Sequence, residues 1–504
     1  MLATVSSATL LGVEGRRVRV EVHVSSGLPG FTVVGLPDTT CREARDRVRA
    51  ALLSSRLKWP SSRVTVNLAP PGLRKVGSGL DLAIAVALLA ASEQVPPECV
   101  GGRAYLGELG LDGSVRPVPG VLPLVDALGE AEVVVPVACA VEAQLLGRHQ
   151  VRSVATLDDL VGALTERCPW PAAPPPPDPP VPLPEPDLAD VRGQPAARYA
   201  LEVAAAGGHH LLLVGSPGAG KTMLARRLPG LLPDLTPGEA LEATRIHSAA
   251  GMPLPPGGLV RRPPFRAPHH GASAVSLVGG GSGTMQPGEV SLAHRGILFL
   301  DELGEFEAAV LDNLRQPLEE GVIRVARAAA RVAYPARVLL VGAMNPCPCG
   351  DGGAPGACRC SPSAKARYAR RVSGPLVDRF DLRVEVGRPE VAALLSTETA
   401  EPTAAVAARV AEARARALAR GIAANAHLPA WRLEEAAKLD RGATRLVERK
   451  LRAGELTGRG LSGVRRVART VADLAGDEGP LTAGHVAAAL TLRSTPAFLS
   501  GRAA

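Results

Sequence analysis

The chain has 504 residues, 46% of them hydrophobic and 21% charged, long enough for more than one domain with its own core. Its formal net charge of +8 suits an anionic partner such as nucleic acid. No stretch of about 18 residues is uninterruptedly apolar, which argues against a membrane-spanning helix; Met1 to Ser7 lack the basic start and apolar run of a secretory leader, so a cytoplasmic location is expected.

In chain order, Arg17 to Val24 alternates like a half-buried strand and Cys41 to Leu57 has helical spacing. Val64 to Asn67 is strand-like, and Leu80 to Ala91 is a largely apolar helix, so residues 1–168 form an α/β domain. Cys41, Cys99, Cys139 and Cys168 are scattered and read as buried thiols. The proline-rich stretch Pro171 to Pro186 supports neither helix nor sheet, and residues 169–187 are expected to be a stiff, extended linker. Apolar strands at Leu211 to Val214, Ile297 to Leu300 and Val338 to Val341 then each lead into a polar motif, as in a parallel sheet with ligands at its strand ends; this core spans 188–388. The remainder, 389–504, is rich in Ala, Arg and Leu and is expected to be a helical lid.

The first polar motif is Gly215-Ser216-Pro217-Gly218-Ala219-Gly220-Lys221-Thr222, a complete GxxxxGK[ST] loop between the strand His210 to Val214 and an expected helix over Met223 to Leu228. Its glycines let backbone N–H groups turn onto phosphate oxygens, Lys221 would reach the β- and γ-phosphates of ATP, and the Thr222 hydroxyl would hold Mg²⁺. Asp301 and Glu302 end the second strand: the first is the metal-side carboxylate and the second the general base. Four apolar residues followed by Asp-Glu would alone describe an ordinary strand and turn; the upstream phosphate loop decides for function. Asn345 ends the third strand, where its amide would position the attacking water. Arg379 would act as a finger on a neighbouring subunit's nucleotide, the alternative being an ion pair with Asp378 or Asp381. Finally, Cys347, Cys349, Cys358 and Cys360 form a CxC, eight-residue gap, CxC pattern in an insertion over 347–360. Four thiolates so close predict a tetrahedral zinc site, although CxC is tighter than the usual CxxC and reduced thiols remain the alternative. Between and beyond the cysteines, Arg359, Lys365, Arg367, Arg370 and Arg371 make a basic run with Tyr368 inside it.

Asp190 to Gln194, Phe265 to His270, Pro287 to His294, Leu314 to Glu319, Asn345 to Gly350, Ser373 to Leu376 and Val467 to Leu474 together resemble the magnesium-chelatase-like AAA+ ATPases of the competence-protein ComM type, over nearly the whole chain. The resemblance implies an AAA+ P-loop core working as a homo-hexameric ring that moves on single-stranded or branched DNA. It assigns Arg459, in Thr457 to Gly460, as a lid arginine contacting nucleotide in cis; Gly463 stands where the family usually has a basic residue. It makes Gly321 to Pro335 a pore-directed hairpin, with Arg324, Arg327 and Arg331 offered to phosphates, and Arg261 to Gly288 a second pore-directed insertion. His269 and His270, within that insertion, read as structural because no third ligand accompanies them.

The N-terminal domain resembles the Lon-protease fold, related to ribosomal S5 domain 2. The nucleophile position falls on Gly79, beside Ser78, and Val121 to Leu124 supplies no lysine base, so proteolysis is not expected. The domain is read instead as a contact for DNA or a protein partner, or as an aid to assembly. The whole reads as an ATP-hydrolysing DNA motor, helicase or branch-migration translocase, in natural transformation. The alternatives are a protein-remodelling or chelatase-type metal-insertion ATPase, and a nucleotide-switched ring without turnover.

Overall fold

Two sheets organise the chain in a computed structural model that describes residues 1–172, 185–281, 285–327, 330–350, 358–395 and 399–494. Most of the Pro-rich linker, the tip of the Gly321–Pro335 hairpin and the middle of the Cys-rich insertion lie outside the described residues.

The N-terminal sheet is built from β1 (Leu2–Leu11), β2 (Glu14–Ser25), β3 (Gly30–Val34), β4 (Arg63–Ala69), β5 (Arg103–Tyr105), β8 (Glu132–Pro136) and β9 (Gln150–Val154). The two-residue strands β6 (Glu108–Leu109) and β7 (Val115–Arg116) pair separately. Spatial order is β3-β4-β2-β1-β5-β8-β9, antiparallel through β4-β2-β1 and parallel elsewhere. Alternation in β2 buries Val18, Val20 and Val22 against the helix Asp81–Ala91, which is apolar on every side after its first residue and buried throughout, Asp81 being paired with Arg47 at 2.6 Å. Cys41 and Cys139 are buried as expected, but Cys99 is only partly covered and Cys168 is exposed. Cys168 follows the helix Leu157–Leu164 and the turn that ends it, beyond the apolar positions that face the core.

The second sheet comprises β10 (Leu211–Val214), β11 (Phe265–Arg266), β12 (Ile297–Leu300), β15 (Leu339–Met344) and β16 (Leu382–Glu385), all parallel, in the order β11-β12-β15-β10-β16. Every residue of β10, β12 and β15 is buried, because both faces are covered. Leu211, Leu213, Ile297, Phe299, Val341 and Ala343 face one cluster with the helices Pro195–Gly207, Thr403–Ala419 and Gly458–Leu474. Leu212, Val214, Leu298, Leu300, Leu340 and Met344 face the other. The helix after the phosphate loop is shorter than its sequence suggests: it ends at Ala225 and passes into a 3₁₀ turn, Leu228–Leu231, where Pro229 has no N–H to continue it.

Between β12 and β15 the chain makes the hairpin β13 (Val322–Arg327) and β14 (Ala330–Pro335). Ile323, Val332 and Tyr334 point into the core and Arg324 and Arg331 point out. The β1–β2 turn reaches this hairpin: Val13 is buried in the same cluster, and Gly12, at φ +67°, lies so close to Val332 that no side chain fits there. A second contact joins Gly120 N–H to the Ser248 carbonyl at 2.9 Å and Arg245 to Asp126 at 2.7 Å.

Two imidazoles fasten the approach to β15. His210 Nδ1 accepts the Leu340 N–H at 3.0 Å, and His294 Nδ1 accepts the Arg337 N–H at 3.1 Å. Both bonds need the unprotonated nitrogen, and desolvation pushes each pKa down to about 4. An unfolded histidine titrates near about 6.5, so this stabilisation is complete above that pH and is lost as pH falls toward 4. We expect denaturant midpoints to fall steadily from pH 7 to pH 4.5, and His210→Gln with His294→Gln to flatten that dependence; an unchanged slope would refute the assignment.

Candidate functional site

The three central strands end side by side, and their next residues form one constellation. Gly215 N–H donates to Met344 O at 3.1 Å, and Gly215 passes so near the Val386 carbonyl that a Cβ has no room. Gly218 and Gly220 have φ of +76° and +90°, which bend the loop through left-handed backbone. The Lys221 ammonium donates to Gly215 O at 2.7 Å, Ser216 O at 3.0 Å and Asn345 Oδ1 at 3.1 Å. Desolvation lowers its pKa, opposed by Asp301 and Glu302. Thr222 Oγ1 donates to Asp301 Oδ2 at 2.7 Å. A hydroxyl and a carboxylate so placed are a fitting oxygen pair for Mg²⁺, which would supply charge neutralisation on the β- and γ-phosphates when bound.

Glu302 follows in left-handed backbone, φ +51°, a conformation that a non-glycine residue adopts at a cost of about 1–3 kcal/mol. Its carboxylate sits 3.0 Å from His270 Nδ1, whose ring packs against His269 and lies edge-on to Phe306. His270, expected only as structural, therefore touches the candidate base. The Arg-Ala-Pro-His-His motif marked the segment, but nothing in its spacing pointed to Glu302.

Beside the phosphate loop lies a cavity of about 250 Å³ lined by Asp190, Val191, Gln194, Ala219, Met223 and Leu394 among others. Gln194, at φ +57°, donates to Ala219 O at 3.2 Å and ties this wall to the loop. The Asp190 to Gln194 motif, to which the sequence assigns no role, forms one wall of this cavity beside the phosphate loop.

Other candidates stand apart. The Arg379 guanidinium pairs with Glu319, rather than Asp378 or Asp381, and is a quarter exposed. Arg459 lies exposed in the first turn of Gly458–Leu474, and among the described residues no hydrogen bond or ion pair joins it to the phosphate loop. Gly463 is buried, and an ideal Cβ there would lie 2.8 Å from the Arg493 guanidinium carbon. That guanidinium donates to Asp381 O at 2.8 Å and Oδ1 at 3.1 Å, so the arginine that follows the helix Ala483–Leu492 fills the space. Cys347, Cys349, Cys358 and Cys360 converge, with all four sulfurs within 4.8 Å of one another. In the N-terminal domain, Ser78 Oγ donates to the Glu108 carboxylate, and the fully buried Lys75 donates to the carbonyls of Gly35 and Pro70. No hydrogen bond between described residues joins Lys75 to Ser78.

A parallel five-stranded sheet carrying this loop, two acidic residues and a strand-end asparagine defines a P-loop ATPase of the AAA+ class. Family models agree: "Magnesium chelatase, subunit ChlI" matches residues 187–394, "Subunit ChlI of Mg-chelatase" residues 20–138, and "Magnesium chelatase, subunit ChlI C-terminal" residues 400–493. The chain is 42% identical to the competence protein ComM of Haemophilus influenzae, covering 98% of this chain and 97% of that one. It is 41% identical to the uncharacterized protein YifB of Escherichia coli (99% and 98% covered) and 46% identical to an uncharacterized protein of Mycobacterium tuberculosis (97% and 98% covered). The chain belongs to the ComM/YifB family of magnesium-chelatase-like AAA+ ATPases.

Two substitutions separate binding from chemistry. Lys221→Ala removes a charged donor and should weaken binding of a fluorescent ATP analogue about 10–100-fold. Glu302→Gln should keep that affinity while lowering phosphate release about 10²–10⁴-fold. Equal loss of affinity in both would refute the division of roles.

Proposed function

We propose that the chain is an ATP-hydrolysing motor that acts on DNA as a homo-hexamer, a helicase or branch-migration translocase serving DNA uptake and recombination. The observation that carries it is the contact set Lys221–Asn345 and Thr222–Asp301 in a chain that aligns end to end with a protein named for competence. Lys221 binds the phosphates, Thr222 and Asp301 hold Mg²⁺, Glu302 takes the proton from water, and Asn345 orients that water. Arg379 lies outside hydrogen-bonding reach of its own phosphate loop among the described residues, which supports its use across a subunit boundary. Arg459 reaches nucleotide on closure of the lid. Zinc at Cys347, Cys349, Cys358 and Cys360 completes the cofactor set.

DNA contact is supported by the exposed arginines of the β13–β14 hairpin. Arg324 is paired with Glu320 in water-exposed surroundings, where such a pair is worth little and yields readily to a phosphate. The N-terminal domain, with a glycine at the position of a Lon-type nucleophile, serves as a contact for DNA or a partner rather than as a peptidase. A chelatase-type metal-insertion or protein-remodelling motor is the second reading, favoured by the names of all three matching family models.

Steady-state ATP hydrolysis measured with single-stranded DNA, branched DNA and no DNA tests the choice. The DNA motor requires stimulation by DNA that Glu302→Gln abolishes; hydrolysis indifferent to both DNA forms would overturn it. Arg324→Ala with Arg331→Ala should weaken single-strand binding and lower the slope of log affinity against log salt by about 0.7 per lost phosphate contact.

A further inference from the structure

The four cysteines are not an isolated decoration on the surface. Cys347 is fully buried two residues after Asn345, whose side chain holds Lys221. Gly350 N–H closes a turn onto Cys347 O at 3.0 Å. Gly350 has φ +84°, and its Cβ position lies 2.6 Å from the Pro217 ring of the phosphate loop. Only glycine permits that approach. The first cysteine pair thus holds a turn pressed on the nucleotide loop.

The second pair leads the other way. Cys360 precedes Ser361, which caps the helix Pro362–Ala369 by accepting the Ala364 N–H at 3.2 Å. That helix buries Tyr368 against Gly304, and Arg371 donates to Gly304 O and to Glu305, each at 2.9 Å. Gly304 and Glu305 stand two and three residues beyond Glu302. The cysteines therefore join the segment behind Asn345 to the segment behind Glu302.

The sulfur spacing fits a metal. Cys347 Sγ lies 3.3 Å from Cys349 Sγ and 3.7 Å from Cys358 Sγ, and Cys349 Sγ lies 3.7 Å from Cys358 Sγ. A tetrahedral site with Zn–S near 2.3 Å places its sulfurs roughly 3.8 Å apart. A disulfide needs about 2.05 Å. Each thiol loses its proton on binding, so the site forms by exchanging protons for zinc.

We propose that a tetrathiolate zinc centre at Cys347, Cys349, Cys358 and Cys360 is a strut of the nucleotide site, clamping the Gly350 turn onto Pro217 and fixing Asn345 relative to Glu302. This rests on the reading of Lys221 and Asn345 as ATP-binding residues.

The test uses the full chain kept reduced. Zinc content is measured by mass spectrometry, and the affinity of a fluorescent ATP analogue is measured before chelation, after chelation, and after adding back zinc or magnesium alone. The expected result is one zinc per chain, an affinity at least about tenfold weaker after chelation, and recovery with zinc but not with magnesium. Cys358→Ser with Cys360→Ser, judged folded by far-ultraviolet circular dichroism, should match the chelated protein; where this variant does not fold, the chelated wild type alone decides. Absence of zinc would overturn the metal site. One zinc with an unchanged affinity after chelation would overturn the strut and leave the metal standing. A zinc-loaded chain that binds no ATP analogue would instead defeat the underlying nucleotide reading.

Discussion

The structure depends on the contact of Lys221 with Asn345 and of Thr222 with Asp301, two side-chain hydrogen bonds that span three parallel strands. Such bonds form only if β10, β12 and β15 end in register, and their register is set by burial. A strand whose alternate residues belong to two different apolar clusters cannot slip by one position without sending each side chain to the wrong face. The layers of helices on both faces thus fix distances at the strand ends. The strain in Glu302 is tolerable because Leu300 and Leu303 on either side are fully buried.

How much of this was legible in the sequence follows from locality. The phosphate loop, the Asp301–Glu302 pair and the strand ending near Asn345 are short segments whose meaning lies in adjacent residues. Their apolar runs are readable because a strand covered on both faces needs them. Contacts between distant segments were not legible. His270 meets Glu302 from 32 positions away in the sequence, and the cavity wall from Asp190 to Gln194 meets Leu394 from 200 or more. The space over Gly463, inside one helix, is likewise filled by Arg493, which lies just past the C-terminal end of another, Ala483–Leu492. The four cysteines were an intermediate case: their proximity in sequence announced a cluster, but not its attachment to Pro217 and Gly304.

The C-terminal helices are bound to the ATPase sheet by polar groups as well as by packing. Asp473, fully buried, accepts from Arg420, Arg469 and Asn425. Asn425 also donates to Thr470 Oγ1, which is 2.8 Å from His209 Nε2, and His209 Nδ1 is 3.3 Å from Asp381. Arg493 completes the series on Asp381. Burying so many charged and polar groups is tolerable because nearly every polar atom finds a partner, the Arg420 Nε being the exception. Asp381 lies two residues after Arg379, so this network runs from the helix bearing Arg459 to the segment bearing the candidate finger.

The seat of the β1–β2 turn on the hairpin bears on where this protein can be divided. The Pro-rich stretch invites a cut near residue 187, yet Val13 shares its burial with Val332 and Tyr334 on the far side of that stretch. An ATPase half severed there would carry an uncovered apolar patch at the root of its hairpin, prone to association with other copies. The N-terminal half would in turn present Val13 and a glycine turn with nothing to rest on. The boundary that is obvious along the chain is therefore not a boundary in the solvent-accessible surface.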